Sequence, residues 1–176
     1  MRPPCIVHLR GVSTAIAKTN AVRALDALDI GYTLHPYEVD ESDLSAPTVA
    51  AKVGLPLEQV FKTLVVQSDQ REHAFAVVAG GAELDLKAVA RALKDQGKGW
   101  KSAALVALKE VQPLTGYLRG GVTALAGKKA FPVVVDEWIE VHEVISISAG
   151  QRGLQIFLAP ADYVRATAAI VAPIAR

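Results

Sequence analysis

The sequence is poor in several things that would otherwise direct its reading. One cysteine, Cys5, stands in 176 residues. No internal disulfide can form, and a reducing, cytoplasmic location is expected. No apolar run approaches the ~18 residues that a membrane span needs, so no membrane association is expected. The first residues, MRPPCIVHLRG, hold one short apolar patch and no A-x-A-like site, unlike a secretory signal. Neither sign of charge dominates: 19 basic and 18 acidic residues leave a net charge of +1. That excludes a surface coated in positive charge, as many duplex binders have, and leaves room for a local basic pocket that grips one or two phosphates.

Catalytic signatures are also missing. There is no G-x-S-x-G, no P-loop and no G-x-G-x-x-G. The four histidines, His8, His35, His73 and His142, lie far apart without metal-ligand spacing. Neither a metal nor another cofactor is expected, and each histidine reads as a surface or packed residue. Cys5 has no local partner motif and is not a candidate nucleophile. No repeat, low-complexity tract or linker divides the chain. Its length suits one domain that buries roughly 70% of its unfolded surface.

What is present is a mixture of strand and helix signals. Residues 1–12 read as a flexible leader, and residues 13–176 as the domain. Ser13 or Thr14 can cap a helix to about Ile30, with Gly31 as its stop. YTLHPYEV reads as a strand near an edge because of Pro36. The acidic stretch DESDLSAP reads as a loop, followed by a short helix over 47–52. FKTLVVQ and HAFAVVAG read as two strands joined by SDQR. DLKAVARALKD is an amphipathic helix that Asp85 can cap. A strand is expected near 102–107 and a short helix near 109–112. FPVVVDE, VISISAG and LQIFLA read as further strands, and a last helix begins near Pro160. Several strands follow one another directly, which disfavours a purely parallel sheet. The expected fold is α/β (α+β): one domain with a mixed, curved, barrel-like sheet flanked by helices.

Alternation in FKTLVVQ puts Lys62 on one face with Val60, Leu64 and Val66. An isolated ammonium among aliphatic residues must pair, lose its proton or sit at a pocket mouth. Either its stem covers the core while its head reaches water, or it is a fixed positive charge in a cleft. Gly120 and Gly121 form an ordinary turn, or leave backbone N–H groups open to a carbonyl oxygen or carboxylate. Lys128 and Lys129 are solvated turn charges or phosphate contacts. SAGQRG repeats the theme, with Ser148 at a strand end and Arg152 two positions beyond Gly150; a turn is the plainer reading. The pattern describes a pocket that holds its substrate without a nucleophile–base pair.

Taken together, FKTLVV, LDLKAVARAL, TGYLRGGVTALAGKK, FPVVVDE and SAGQRGLQIFLAPADY stand in an order and spacing that resembles the YbaK/EbsC proteins, relatives of the prolyl-tRNA synthetase editing domain. The resemblance runs from about Ser13 to the final helix. It implies trans-editing: removal of a wrong amino acid from tRNA, typically cysteine from Cys-tRNA(Pro). It places the family's lysine on Lys62, its pocket tyrosine on Tyr37, its glycine pair on Gly120 and Gly121, and its pocket serine on Ser148. It implies substrate-assisted chemistry, in which the substrate thiol attacks its own ester and the protein positions the tRNA 3′ end. The activity is then either hydrolase or lyase-type thiol cyclisation. The glycine pair would let the aminoacyl carbonyl or terminal ribose approach backbone amides, each such donor being worth about 3 kcal/mol. Implied partners are the aminoacyl-tRNA 3′ end and, transiently, prolyl-tRNA synthetase.

The chain departs from the family pattern at three places. GGVTALA stands for G-G-I-S-P-L-G, with Thr123 for serine and Ala124 for proline. Gln155 stands for the aspartate of R-G-L-D. Ser45–Ala46 stands for Phe-Gly. These positions bear on amino-acid specificity. Alternatives are a deacylase for another small amino acid such as alanine, a non-catalytic aminoacyl-tRNA-binding or synthetase-associated module, and a small-molecule hydrolase unrelated to tRNA.

Overall fold

The computed structural model describes residues 16–176. The expected leader, the Ser13 or Thr14 cap, Cys5 and His8 lie outside the described residues. In chain order the elements are α1 (Asn20–Ala27), β1 (Tyr32–Pro36), α2 (Ala46–Val53), β2 (Phe61–Ser68), β3 (His73–Ala79), α3 (Leu86–Asp95), β4 (Ala103–Leu105), α4 (Leu108–Thr115), β5 (Val133–Asp136), β6 (Ile145–Ser148), β7 (Leu154–Leu158), α5 (Pro160–Thr167) and β8 (Ile170–Ala172). Short 3-10 turns occupy Leu57–Gln59 and Glu137–Val141.

The strands form two sheets. The larger runs β4-β2-β3-β5-β8 and the smaller β1-β7-β6. β2 pairs antiparallel with β3 and β4, while β3–β5 and β5–β8 are parallel. The mixed sheet expected from direct strand succession is thus present. A parallel bridge from Val60 to Ser146 joins its two parts. The assembly is curved and stays open, short of a closed barrel.

The large sheet is covered on both faces, which is why β3 and β5 read as unbroken apolar runs. Phe61, Val65, Phe75, Val77, Val133 and Val135 turn to one core, shared with the small sheet, α1 and Tyr163 of α5. Val66, Ala74, Ala76, Val78 and Val134 turn to the other, where α3 buries Val89, Ala90 and Leu93. Alanines at 74 and 76 keep that face shallow, so the helix can lie close. Burying Leu93 alone contributes about 2 kcal/mol. Asp85 caps α3 as expected, its carboxylate accepting from the N–H groups of Lys87 at 2.9 Å and Ala88 at 3.0 Å.

Boundaries of α1, β1 and α4 differ from the sequence reading, each for a local reason. α1 starts later than Ser13 or Thr14 because Thr19 is its cap, its Oγ1 accepting from Val22 N at 3.2 Å. It stops before Ile30 because Asp29 turns left-handed, at φ 51°. β1 ends at Pro36, which has no N–H to continue a ladder; Tyr37 N donates instead to the Gly153 carbonyl at 2.9 Å. α4 runs on through Pro113 to Thr115, where Gly116, at φ 81°, closes it.

β8 was not foreseen at all. It is a three-residue strand parallel to β5, and a carboxylate holds the chain that follows it. Asp136 is 2% exposed. Its Oδ2 accepts from Ile174 N at 2.9 Å and Ala175 N at 2.7 Å, and its Oδ1 from Trp138 N at 3.1 Å. Removing it strands three backbone donors, two of them beside the core. Asp136→Ala is expected to cost about 3 kcal/mol, read as a lower urea midpoint. A loss within the ~0.5 kcal/mol of an ordinary surface change would show that water satisfies those donors.

Candidate active site

β4 pairs only with the far end of β2, at Val66, Gln67 and Ser68. Among the described residues, the near end of β2, Phe61–Leu64, has no strand on its outer side. Val65 points its carbonyl to that side, where it accepts from Val106 N at 3.0 Å. By strand alternation the N–H and C=O of Thr63 point the same way. A cavity of about 540 Å³ opens along this edge. Leu44, Ala46 and Val49 wall one side of it, and Leu105, Leu108 and Val111 another. Its polar lining includes Lys62, Arg119, Ser148 and Gln155, with Gly120 beside them.

Lys62 shares its face with Leu64 and Val66, as alternation requires. Its ammonium is not loose. Nζ donates to the carbonyls of Gly80 at 3.0 Å and Ala82 at 2.8 Å. Three donors are available and two are used, which leaves one. Burial lowers its pKa from the ordinary 10.5, and the charge of Glu83 works against that shift. The stem lies along the apolar face of β2, and the head is held by two carbonyls at the cavity.

Gly80 makes this placement possible. A Cβ there would lie 2.6 Å from Ala46 Cβ and 2.7 Å from Leu57 Cδ1. The β3 end and the start of α2 therefore meet in contact with no room for a methyl group. At the start of α2, Asp43 braces the chain before the helix. It accepts from the Thr48 hydroxyl and from Ser45 N, and these hydrogen bonds, Thr48 first, hold its carboxyl at about 2.

The two adjacent glycines do different things. Gly120 lines the cavity at φ 84°, a left-handed conformation that suits glycine. Gly121 packs against its own chain: a Cβ would lie 3.1 Å from Gln151 Cα and 3.3 Å from Arg152 N. Its N–H is spent on the Leu118 carbonyl at 2.9 Å. Among the described residues, the N–H groups of Gly120 and Val122 take no such partner. Tyr117 struts the loop, its hydroxyl donating to the carbonyls of Leu125 at 2.6 Å and Ala126 at 3.0 Å. Burial raises this phenol's pKa. Its ring lies against Gly150, where a Cβ would come within 2.9 Å of Cε1.

Of the other residues singled out from sequence, Ser148 and Gln155 face the cavity and stand opposite each other between β6 and β7. Gln155 is buried, and its Oε1 accepts from Ser146 Oγ at 3.0 Å. Ser148 Oγ accepts from Gly150 N at 3.2 Å. Thr123 is fully buried within the glycine loop and off the cavity lining, its hydroxyl accepting from Leu125 N at 3.4 Å. Arg152 also stands off the lining. Its Nε donates to the Arg119 carbonyl at 2.8 Å and its Nη1 pairs with Glu41 at 3.3 Å, so it straps the glycine loop to the chain ahead of α2. Tyr37 is half-buried and off the lining. Lys128 and Lys129 are exposed.

Sequence reasoning passed over Arg119 and Thr63, both of which line the cavity. Arg119 immediately precedes the glycine pair, and that adjacency was the available signal. Thr63 offered none beyond a hydroxyl in an apolar strand. Behind it the fully buried Tyr163 hydroxyl finds no hydrogen-bond partner of ordinary geometry among the described residues.

Chemically, the lining holds two cations, Lys62 and Arg119, and hydroxyls at Ser45, Thr63 and Ser148. Among the described residues it holds no carboxylate and no histidine. It can bind an anionic group, polarise an oxygen and exclude water with its apolar walls. The acid–base side chains most used to activate a protein nucleophile, histidine and carboxylate, are thus missing from the described lining, and the Lys62 ammonium is engaged with two carbonyls. Among the described residues, no group of three His, Cys, Asp or Glu could hold a metal, and no helix is long and apolar enough to cross a membrane.

Residues 41–166 match the family described as the aminoacyl-tRNA editing domain. The chain belongs to that family. The matched span contains all of the cavity lining, from Leu44 to Gln155. Among curated proteins, this editing domain is 38% identical over 143 residues to EbsC of Enterococcus faecalis (strain ATCC 700802 / V583), which is named for Cys-tRNA(Pro)/Cys-tRNA(Cys) deacylation. That match spans 81% of this chain and 84% of the relative. Two solved structures share the fold. Hypothetical protein APE2540 superposes with a TM-score of 0.78 at 23% identity, over 90% of this chain and 100% of that one. A protein named as a trans-editing enzyme for prolyl tRNA synthetase superposes with a TM-score of 0.71 at 23% identity, over 89% of this chain and 97% of that one.

Proposed function

We propose that this editing domain is a trans-editing aminoacyl-tRNA deacylase that removes cysteine from Cys-tRNA(Pro). The observation that carries the reading is the Lys62 ammonium, fixed by two carbonyls at a cavity that contains cations and no acid. Such a site suits an anionic polymer ending in an ester. Lys62 holds the terminal phosphate or sugar. The free N–H groups of Gly120 and Val122 receive the ester carbonyl oxygen as it gains charge. The name of the EbsC relative supports cysteine as the amino acid.

An aminoacyl ester is already activated, so positioning can supply most of the acceleration. The described lining offers no carboxylate or histidine to activate water, and this favours attack from the substrate itself. The thiol sulfur of cysteine bonds to its own carbonyl carbon. The C–O bond to the ribose breaks, and the thiol proton ends on the ribose oxygen. The products are a cyclic thiolactone and free tRNA, and water later opens the thiolactone to cysteine. We place the protein in the cytoplasm, in transient complex with prolyl-tRNA synthetase, which would supply the tRNA specificity that a near-neutral chain lacks. Cross-linking in cell extract tests that complex.

The deciding experiment is release of amino acid from Cys-tRNA(Pro), Cys-tRNA(Cys), Ala-tRNA(Pro) and Pro-tRNA(Pro). Fast release from the two cysteinyl substrates, with the other two spared, is expected. Release from Ala-tRNA(Pro) instead would keep a deacylase, assign it another amino acid and require water as the attacking group. Bound tRNA with no release from any substrate would make the protein a binding module.

A further inference from the structure

A second cleft lies on the far side of α4. It has a volume of about 570 Å³ and is lined by Gln67, Arg71, His73, Lys109, Glu110 and Leu114, among others. We propose that this cleft takes the sugar-phosphate backbone of the tRNA acceptor strand, a few nucleotides before the esterified ribose. The proposal rests on the deacylase reading above and adds where the rest of the strand lies.

Four observations carry it. First, one helix divides the two cavities. Leu108 and Val111 of α4 face the first, and Lys109, Glu110, Pro113 and Leu114 face the second. A helix is about 10 Å across, and a nucleic-acid strand rises ~3.4 Å per nucleotide. A strand whose end sits in the first cavity therefore needs only about three nucleotides to cross α4. Second, the cations are uncommitted. Among the described residues, neither Arg71 nor Lys109 takes part in an ion pair. Third, the base of the cleft is built. Arg71 sits at φ 62° in the β2–β3 turn, which Ser68 pins: its hydroxyl accepts from Gln70 N and Glu72 N, both at 3.1 Å, and its carbonyl from Arg71 N at 3.0 Å. Fourth, more cations stand alongside. Lys128 N donates to the Thr115 carbonyl at the end of α4. The segment carrying Lys128 and Lys129 runs on to Phe131, whose ring centre is 5.4 Å from that of His73.

With a net charge of +1 over the whole chain, such a grouping is not a matter of composition. Glu110 is the one carboxylate lining the cleft. An acidic peptide would meet the same cations, but nothing would tie it to the first cavity. The phosphate backbone of a strand already anchored there is the better occupant.

The test compares Arg71→Glu/Lys109→Glu with a control of equal charge change on α3, Lys87→Glu/Lys94→Glu. Binding of uncharged tRNA is measured across a salt series, so the cleft is read whether or not the protein deacylates. The first variant is expected to bind at least ~10-fold more weakly at low salt, with its log–log salt slope smaller by about 1.4, two contacts at ~0.7 each. The control binds as wild type. On Cys-tRNA(Pro) the variant's KM rises while kcat holds, and a short 3′-cysteinyl adenosine ester, which cannot reach the cleft, is turned over normally. Arg71→Asn/Lys109→Gln, with an Asn suited to the left-handed turn, should shift binding and slope in the same direction and guards against misfolding. Wild-type affinity and slope in both variants, or equal loss in the α3 control, overturns the proposal. So does unchanged tRNA binding with loss of poly-glutamate binding, which would give the cleft to an acidic peptide. A wild type that binds tRNA through these residues yet releases no amino acid would sink the deacylase reading alone.

Discussion

Lys62→Ala is expected to lower kcat/KM for amino-acid release by about 10²–10³-fold, the effect of losing one preorganised charged donor. The ammonium is held to within a hydrogen bond of two carbonyls, so its remaining N–H points from a fixed place. The other cation in the described lining, Arg119, extends from the glycine loop and lacks the two carbonyl anchors that fix Lys62. The substitution also leaves the Gly80 and Ala82 carbonyls without their donor, at a cost of about 1–2 kcal/mol. Lys62→Met separates the two effects: the stem is kept and the charge lost. Activity should fall as far as in Lys62→Ala, while the urea midpoint stays nearer wild type. Loss of activity only in step with loss of folded protein would reduce Lys62 to a structural tie. The pH dependence has two opposite signs. Burial lowers the folded pKa of Lys62 below 10.5, so deacylation, corrected for spontaneous ester hydrolysis, declines as pH rises through that lowered value. Between the lowered value and 10.5 the unfolded chain binds more protons than the folded one. Stability therefore rises with pH across the same window, and Lys62→Met removes that rise.

How much of this was legible in the sequence depends on where each residue's partners lie. The β2 faces were legible because period-two alternation is local, and so was Lys62 as the misfit in an apolar strand. Asp85 was legible because a cap and its two amides are neighbours in sequence. β8 was not: three residues after a helix carry no pattern, and the Asp136 carboxylate that holds the following chain lies in an earlier strand. The glycine pair was half legible. The left-handed turn at Gly120 follows from local chemistry, but what fills the space at Gly121 is the Gln151 backbone, far along the chain. The resemblance located Ser148 and Gln155, while strand pairing alone shows them opposite each other. Thr123 and Arg152, both singled out from sequence, stand off the cavity lining and hold the glycine loop instead. A hydroxyl's or guanidinium's direction is decided by loop packing that no spacing encodes.

The glycine with the largest expected effect was not singled out from sequence. Gly80→Ala is expected to destabilise the fold by about 1–3 kcal/mol and to lower activity further than the stability loss alone explains. Its Cβ would lie 2.6 Å from Ala46 Cβ, 2.7 Å from Leu57 Cδ1 and 3.0 Å from the Val60 carbonyl oxygen. Leu57 can rotate away. Ala46 begins α2 and Val60 carries the bridge between the sheets, so neither can yield without moving an element. The Gly80 carbonyl also anchors Lys62, and displacing it moves the charge that the site is built around. Gly31→Ala, with nothing within 4 Å of the added carbon, is the silent control. Ala46→Gly in the Gly80→Ala background tests the cause directly. If the Ala46 contact is limiting, the double variant regains most of the lost stability and activity, and the cycle gives a coupling of about 1 kcal/mol or more. If recovery fails, the fixed neighbour is the Val60 carbonyl, which also accepts the Gly80 N–H at 2.7 Å. The defect then lies in the joint between the two sheets, and activity should fall together with the cooperativity of unfolding, whatever stands at position 46.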